Sequence, residues 1–332
     1  MKGYPLRFVP IYKERIWGGR RLESIYGRTL PGERPIGESW EITDRPEGIS
    51  VVADGPWVGR TLRQLLEEDA AAILGDAALR SGRFPLLVKI LDAREVLSLQ
   101  VHPPARIAAS LGGESKTEMW YFTSTEPGSE ILVGLRPGTT RREFERRIAE
   151  GSVAACFHRI PVGAGDAMWL PSGRVHALGA GVLLFEIQEN SDTTYRVYDW
   201  DRPGLDGRPR PLQVAESMAS IDFADVAPGL VASGWCAEGA TECRVLAEGP
   251  LFRVEARRGR DEATWYGNLD RCRVVGVVRG ALWVRGESEE DFGTRLGPGD
   301  FALLPASMGV VRGRVEGDAE WLVATPGRGE GG

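Results

Sequence analysis

The chain of 332 residues holds only three histidines, His102, His158 and His176, so each can be weighed singly. His102 closes the run Ser98-Leu-Gln-Val-His. In a strand, alternate side chains share a face. Ser98, Gln100 and His102 therefore point one way, and Leu99 and Val101 the other. Such a polar stripe either meets solvent or lines a polar cavity. The same alternation puts Lys116, Glu118 and Trp120 on one face of the following segment. His176 comes five residues after the Pro of the run Gly165-Asp-Ala-Met-Trp-Leu-Pro171. Read singly, each of these is an ordinary surface or core polar residue. Together, two imidazoles, one carboxylate and a Gln amide oxygen suit a divalent ion. They are ligands for a zinc that keeps an open position for chemistry, and equally for non-haem Fe(II). His158, in Cys156-Phe-His-Arg, lacks polar companions and is assigned to packing or surface.

A third segment, Glu186 to Arg202, is dense in polar and aromatic residues. It is either an exposed loop or a substrate-binding wall. In the second case Arg196 and Arg202 offer guanidinium groups suited to bidentate contact with an anion such as phosphate.

These residues must be held by something, and most of the chain reads as strands. Short apolar and β-branched runs broken by Gly and Pro recur at Leu6–Pro10, Ser39–Thr43, Phe84–Ile90, Val96–Val101, Glu118–Thr123 and Ile131–Gly134, then from 160 to 198 and from 225 to 325. Three stretches read as helices. Leu62, Leu65, Leu66, Ala70, Ile73, Leu74 and Ala78 recur at helical spacing across 61–80. Residues 139–151 open with Thr-Thr and close on Gly, and 211–221 is a short candidate. The most informative feature is an internal repeat. Gly165-Asp-x-x-x-Leu-Pro171 recurs as Gly299-Asp-x-x-x-Leu-Pro305, but the position matching His176 is Val310. One equipped and one bare copy predict two related β-barrels with one active site. The expectation is a domain over 1–222 with helical segments at 61–80 and 139–151, a second over 223–326 without a metal site, and a frayed tail at 327–332.

Composition sets outer limits. Hydrophobic residues make up 42% and charged residues 27%, ordinary for a globular protein. A chain this long buries about 75% of its unfolded surface and needs no disulfide. The four Cys form no C-x-x-C pair, and they are expected to be free thiols in a reducing compartment. The net charge of −6 disfavours general nucleic-acid binding. No apolar h-region follows Met1 and no run approaches the ~18 residues of a membrane span. A cytoplasmic monomer that binds neither nucleic acid nor membrane is expected. Four of the 41 basic residues are Lys, which makes a retained Lys mildly informative, since Arg does not give up a proton.

The run Gly165-x5-Pro171-x-Gly173-x2-His176 resembles the second cupin motif, with Ala180 where an Asn often stands. More specifically, the chain resembles type I phosphomannose isomerases of the short bacterial form. The matching runs are Tyr12-Lys-Glu-Arg-Ile-Trp-Gly-Gly19, Gly37-Glu-Ser-Trp-Glu41, Val88-Lys-Ile-Leu-Asp92, Ser98-x-Gln-x-His-Pro103, Lys116-Thr-Glu-Met-Trp-Tyr121, Pro171-x-Gly-x-Val-His-Ala177 and Glu186-Ile-Gln-x-Asn-Ser-Asp-Thr-Thr-Tyr-Arg-Val-Tyr-Asp-Trp-Asp-Arg202. They lie in family order over about residues 5–215. The resemblance implies a mainly β fold of two cupin-type (jelly-roll) barrels with a small helical insertion. It implies interconversion of mannose 6-phosphate and fructose 6-phosphate with one zinc ion in the first barrel. It places metal ligands on Gln100, His102, Glu118 and His176, a catalytic Arg on Arg196, active-site Lys and Glu on Lys116 and Glu186, and substrate contacts on Ser98 and Arg202. Arg202 is Lys in some relatives; Arg there keeps the charge but excludes a proton-transfer role. Lys116, Glu186 and a metal-bound water all remain open as the proton shuttle. A non-catalytic sugar-phosphate-binding cupin and a cupin enzyme of another type are the competing readings.

Overall fold

In the computed structural model, residues 2–288 and 290–328 are described. The chain divides into two compact units that interleave in sequence. One comprises Met1–Ile11, Trp40–Val88 and Ala232–Gly332, the other Tyr12–Ser39 and Lys89–Val231. The single boundary expected near residue 222 differs from this interleaved division. Local patterning carries no signal for the interleaving, because long-range backbone bonds create it. Leu6 exchanges both backbone hydrogen bonds with Leu303, at 2.8 and 2.9 Å. Asp76 N–H donates to the Asp270 carbonyl, and Cys272 N–H to that of Leu74.

The helix expected over 61–80 runs from Leu62 to Leu74 and belongs to the first of these units. Thr61 caps it, and the Gln64 side chain closes the reciprocal bond of a capping box. It stops at Gly75, whose φ of 60° lies in the left-handed range. The helix expected over 139–151 runs from Arg141 to Ala149, with Thr140 as its N-cap. The third runs from Val214 to Ser220.

Two sheets are built mainly from residues of the unit that contains Lys89–Val231. One has the order Ile11–Gly19, Ile36–Ile42, Leu86–Ala93, Val182–Glu189, Glu118–Thr125, Ala167–Leu170. The other has the order Tyr195–Tyr198, Leu99–Val101, His176–Leu178, Glu130–Leu135, Phe157–Pro161. Trp120, Phe122, Met168 and Leu184 of the first share a core with Ile131, Val133 and Leu178 of the second. Each strand therefore gives one face to the interior. The alternate residues Leu99, Val101, Leu132 and Ala177 pack outward on Phe144 and Met218 of the helices.

The other unit wraps an eight-stranded antiparallel sheet around its own core of Leu282, Val284, Leu304, Val311 and Trp321. The repeat is structural. Asp166 and Asp300 each accept from the backbone N–H three residues earlier, at 2.8 and 2.9 Å. Gly165 and Gly299, immediately before these aspartates, have φ of 89° and 80°. Each turn then opens a short strand, Ala167–Leu170 or Phe301–Leu304. His176 and Val310 each begin the next strand. The fold is mainly β and compatible with paired cupin-type barrels. At the tail, Gly327 N–H donates to Leu251 O and Arg328 pairs with Asp270, so these two are held where fraying was expected. Residues 329–332 lie outside the described residues.

Candidate active site and metal centre

Strand register assembles the site. His176 lies opposite Gln100, and Gln100 opposite Arg196, so three neighbouring strands present one row. In the other sheet Glu186 lies opposite Trp120. The polar stripe Ser98, Gln100, His102 faces inward; of its two readings, the polar cavity is the one realised. His158, on the outer strand Phe157–Pro161, stands apart from the cluster.

One donor atom from each of His102, Glu118 and His176 lies within 4.8 Å of the others. Nε2 of His102 is 3.4 Å from Oε2 of Glu118, and Nε2 of His176 is 3.4 Å from Oε1. The Gln100 amide nitrogen, a donor, is 3.3 Å from His176 Nε2. Both imidazoles are oriented from behind. Nδ1 of His102 donates to the Thr193 carbonyl at 2.8 Å, and Nδ1 of His176 to that of Arg174 at 3.0 Å. A carbonyl only accepts, so each proton sits on Nδ1 and each Nε2 lone pair faces the cluster.

Protonation follows from burial and charge. Burial, helped by the Lys116 cation, pushes His102 down to about 3. Burial likewise lowers His176. Burial alone would raise Glu118, but Lys116 at 2.9 Å and the imidazoles outweigh it and hold this carboxyl well below its usual range. Burial alone would lower Lys116, yet Glu118, Glu186 and Asp192 hold it above the ordinary lysine value. Neutral imidazoles beside an ionised carboxylate are the forms a divalent cation requires. His102 Nε2 and Glu118 Oε1 are buried without a hydrogen bond, which is costly unless a cation meets them; the Lys116 ammonium meets only Oε2. The residues present fit a metal ion.

A cleft of about 530 Å³ opens over this cluster, lined by Ser98, Gln100, Lys116, Glu186 and Arg196 among others. Burial, then the nearby Glu118, raises Glu186 above the usual carboxylate value despite Lys116 and Lys89. Glu186 Oε2 accepts from the Trp120 indole at 2.9 Å, while Oε1 faces Lys89 Nζ at 3.3 Å. Arg196 Nε donates to Ser98 Oγ at 3.3 Å. Arg202 is not in the cleft. Asp199 holds its guanidinium at 3.1 Å, and Nη1 donates to the Val96 carbonyl at 2.5 Å. Arg210, anchored by the same Asp199, lines the cleft instead, with Arg15 and Lys89. The sequence reading missed these three. Lys89 carried a signal: it interrupts the apolar run Leu86–Leu91 in a chain with few lysines. Arg210 sits in Arg-Pro-Arg-Pro, which has no periodicity to read.

Residues 6–135 match the family model for phosphomannose isomerase type I, catalytic domain. The mannose-6-phosphate isomerase of Streptococcus mutans is 40% identical over 251 residues, 75% of this chain and 77% of that protein. The chain belongs to the type I phosphomannose isomerase family. The mannose-6-phosphate isomerase ManA of Bacillus subtilis is 41% identical over 67% of this chain and 69% of its own. The crystal structure of the mannose 6-phosphate isomerase from Bacillus subtilis, at 32% identity, covers 97% of this chain and 99% of that one with a TM-score of 0.87. A zinc-bound mannose 6-phosphate isomerase shares the fold at 17% identity, with a TM-score of 0.78 over 98% and 99% of the two chains.

Proposed function

We propose that this chain interconverts mannose 6-phosphate and fructose 6-phosphate, using one zinc ion held by His102, Glu118, His176 and the Gln100 amide. The observation that carries this reading is the convergence of three inward, correctly protonated ligands within 4.8 Å in a member of this family. Bound zinc would supply Lewis-acid polarisation of the sugar's C1 and C2 oxygens.

The remaining work falls to side chains. The reaction moves a proton between C1 and C2 through an enediol-type intermediate, so one group must take it and return it. Glu186 suits this role. Trp120 fixes one of its oxygens, Oε1 makes no hydrogen bond, and burial brings its basicity toward the working pH. Lys116, held protonated by Glu118, is a fixed cation for charge developing on the sugar oxygens. Arg196, in one row with Gln100 and His176, extends that positive surface, and Ser98 steadies it. Arg210 and Arg15 continue it toward the phosphate, in the place expected for Arg202. Among the described residues no helix is long and apolar enough to cross a membrane. A cytoplasmic monomer remains part of the reading.

The test is a coupled assay of fructose 6-phosphate formation on the protein as isolated, after chelation, and after zinc is restored. Activity should vanish and return. Inactivity in all three states would instead favour a non-catalytic sugar-phosphate binder. Glu186→Gln preserves shape but removes the base. It should lower kcat by about 10²–10⁴-fold with little change in KM or zinc content. A parallel loss of zinc would show that Glu186 serves the metal site instead.

A further inference from the structure

On the unit without the metal cluster, two of the four cysteines stand directly across from one another. The strands Cys236–Glu238 and Thr241–Glu248 form a hairpin whose two-residue turn opens on Gly239, with φ of 61°. Its register sets Cys236 opposite Cys243, Ala237 opposite Glu242 and Glu238 opposite Thr241. Directly opposed residues of an antiparallel pair share a face of the sheet, with Cα atoms about 4.5–5.5 Å apart. A disulfide needs about 4.4–6.8 Å. Contacts on both sides of the sheet agree with this orientation. Glu238, two residues from Cys236, reaches Arg257 at 3.0 Å, and Arg257 is the residue opposite Cys243 on the next strand, Phe252–Gly259. On the other side Arg258 pairs with Glu242 at 2.6 Å and lies 4.4 Å from the centroid of the Trp235 ring. Trp235 and Glu242, the chain neighbours of the two cysteines, thus occupy one face together, and Cys236 and Cys243 the other.

The two thiols differ in access. Cys236–Glu238 is the edge strand of its sheet, and Cys236 is exposed. Cys243, one strand further in, is 9% exposed, and burial followed by Glu255 pushes its thiol up to about 11. An oxidant in solution therefore meets Cys236 first, with Cys243 beside it as the second sulfur. The other two cysteines have no such arrangement: Cys156 and Cys272 are fully buried and belong to different units. An accessible cysteine with a second one in reach is the layout of a redox-responsive thiol, whereas a buried cysteine without a partner is inert. A disulfide at an exposed sheet edge is also open to reduction.

We propose that Cys236 and Cys243 form a reversible oxidation site, closing to a cross-strand disulfide with a low-molecular-weight disulfide as the oxidant. The Cys236 thiolate attacks one sulfur of that oxidant, whose S–S bond breaks and releases a first thiolate. The Cys243 thiolate then attacks the Cys236 sulfur of the mixed disulfide and releases a second thiolate. The two cysteines lose two electrons, and the oxidant is reduced to two thiols that take up the two cysteine protons. Excess thiol runs both steps backwards. The test treats the full native chain with oxidised glutathione, alkylates remaining thiols with iodoacetamide in denaturant, and weighs the tryptic peptides. No Lys or Arg separates the two cysteines, so they share one peptide. That peptide should carry no alkyl group and be two hydrogen masses lighter than its reduced form, while Cys156 and Cys272 are alkylated. Dithiothreitol should reverse the change, with the near-ultraviolet circular dichroism of the fold kept throughout. Cys236→Ser should abolish closure, and Cys243→Ser should arrest at a glutathione adduct on Cys236. In the native reduced chain, iodoacetamide should modify Cys236 at least about tenfold faster than Cys243. No closure, a disulfide through Cys156 or Cys272, chains linked in pairs through Cys236, or a parent chain that stops at the glutathione adduct would overturn the proposal.

Discussion

Replacing His176 with alanine should leave a folded protein that no longer retains zinc through gel filtration and turns over mannose 6-phosphate at least ~10³-fold more slowly. The backbone at this position is held on both sides, by Gln100 and by Val133, so the strand survives the truncation. What disappears is one of the three converging donors, the one whose Nε2 lies 3.4 Å from Glu118 and 3.3 Å from the Gln100 amide. Two side-chain ligands and an amide form a weak site. Losing Lewis-acid stabilisation removes several kcal/mol from the transition state, and each ~1.4 kcal/mol is tenfold in rate. Metal analysis beside the coupled assay checks both halves. A zinc-free His176→Ala enzyme with full activity would defeat the proposed role of the cluster.

Lys116→Met should separate the metal-free from the metal-loaded protein more than any other single change at the site. Lys116 and Glu118 form a buried pair at 2.9 Å, with side chains 5% and 1% exposed. The methionine chain fills similar space but leaves Glu118 and Glu186 buried without that cation. Breaking a buried pair from one side costs about 3–5 kcal/mol. A bound divalent ion would offset this at Glu118, and it would no longer share the carboxylate with an ammonium. Chelation should therefore lower the melting temperature of Lys116→Met further than that of the parent chain, on the order of 5–10 °C further. Turnover of the zinc-loaded variant should fall by about 10²–10³-fold, as when a preorganised charge is removed. Differential scanning calorimetry of both proteins with and without chelator decides the matter. Equal chelator shifts would mean that the pair does not stabilise the empty site.

The site was legible in the sequence to the extent that strand alternation made it so. Ser98, Gln100 and His102 had to share a face, as did Lys116, Glu118 and Trp120, whatever the sheets did. The repeat showed where the second turn lies and that Val310 stands in the position of a ligand. The capped helices were readable within a few residues, since Thr61 and Thr140 carry their own signals. The free choice in that reading was whether the polar stripe met solvent or a cavity. Periodicity does not contain the answer, because it depends on which sheet packs against which face.

Arg202 shows where local reasoning stops. It occupies a family position and has the right charge, but Asp199 and the Val96 carbonyl turn it away from the cleft. Arg210, eight residues on in a proline-rich loop, arrives in its place because the same carboxylate steers it. Lys89 comes from a strand that reads as pure core, and it reaches Glu186 only because its strand neighbours Val182–Glu189 in the sheet.

By itself, then, the sequence determined the mainly β character, the residues of the candidate metal cluster, the helix caps and the two copies of the turn. Each of these is set by side-chain chemistry over a span of ten residues or fewer. Tertiary structure alone decided that residues 1–11 and 40–88 join the C-terminal unit, that the polar stripe faces inward, and which arginines line the cleft. Those outcomes rest on backbone pairing and charge contacts between segments far apart in the chain, where a one-residue change of register would send every side chain to the opposite face.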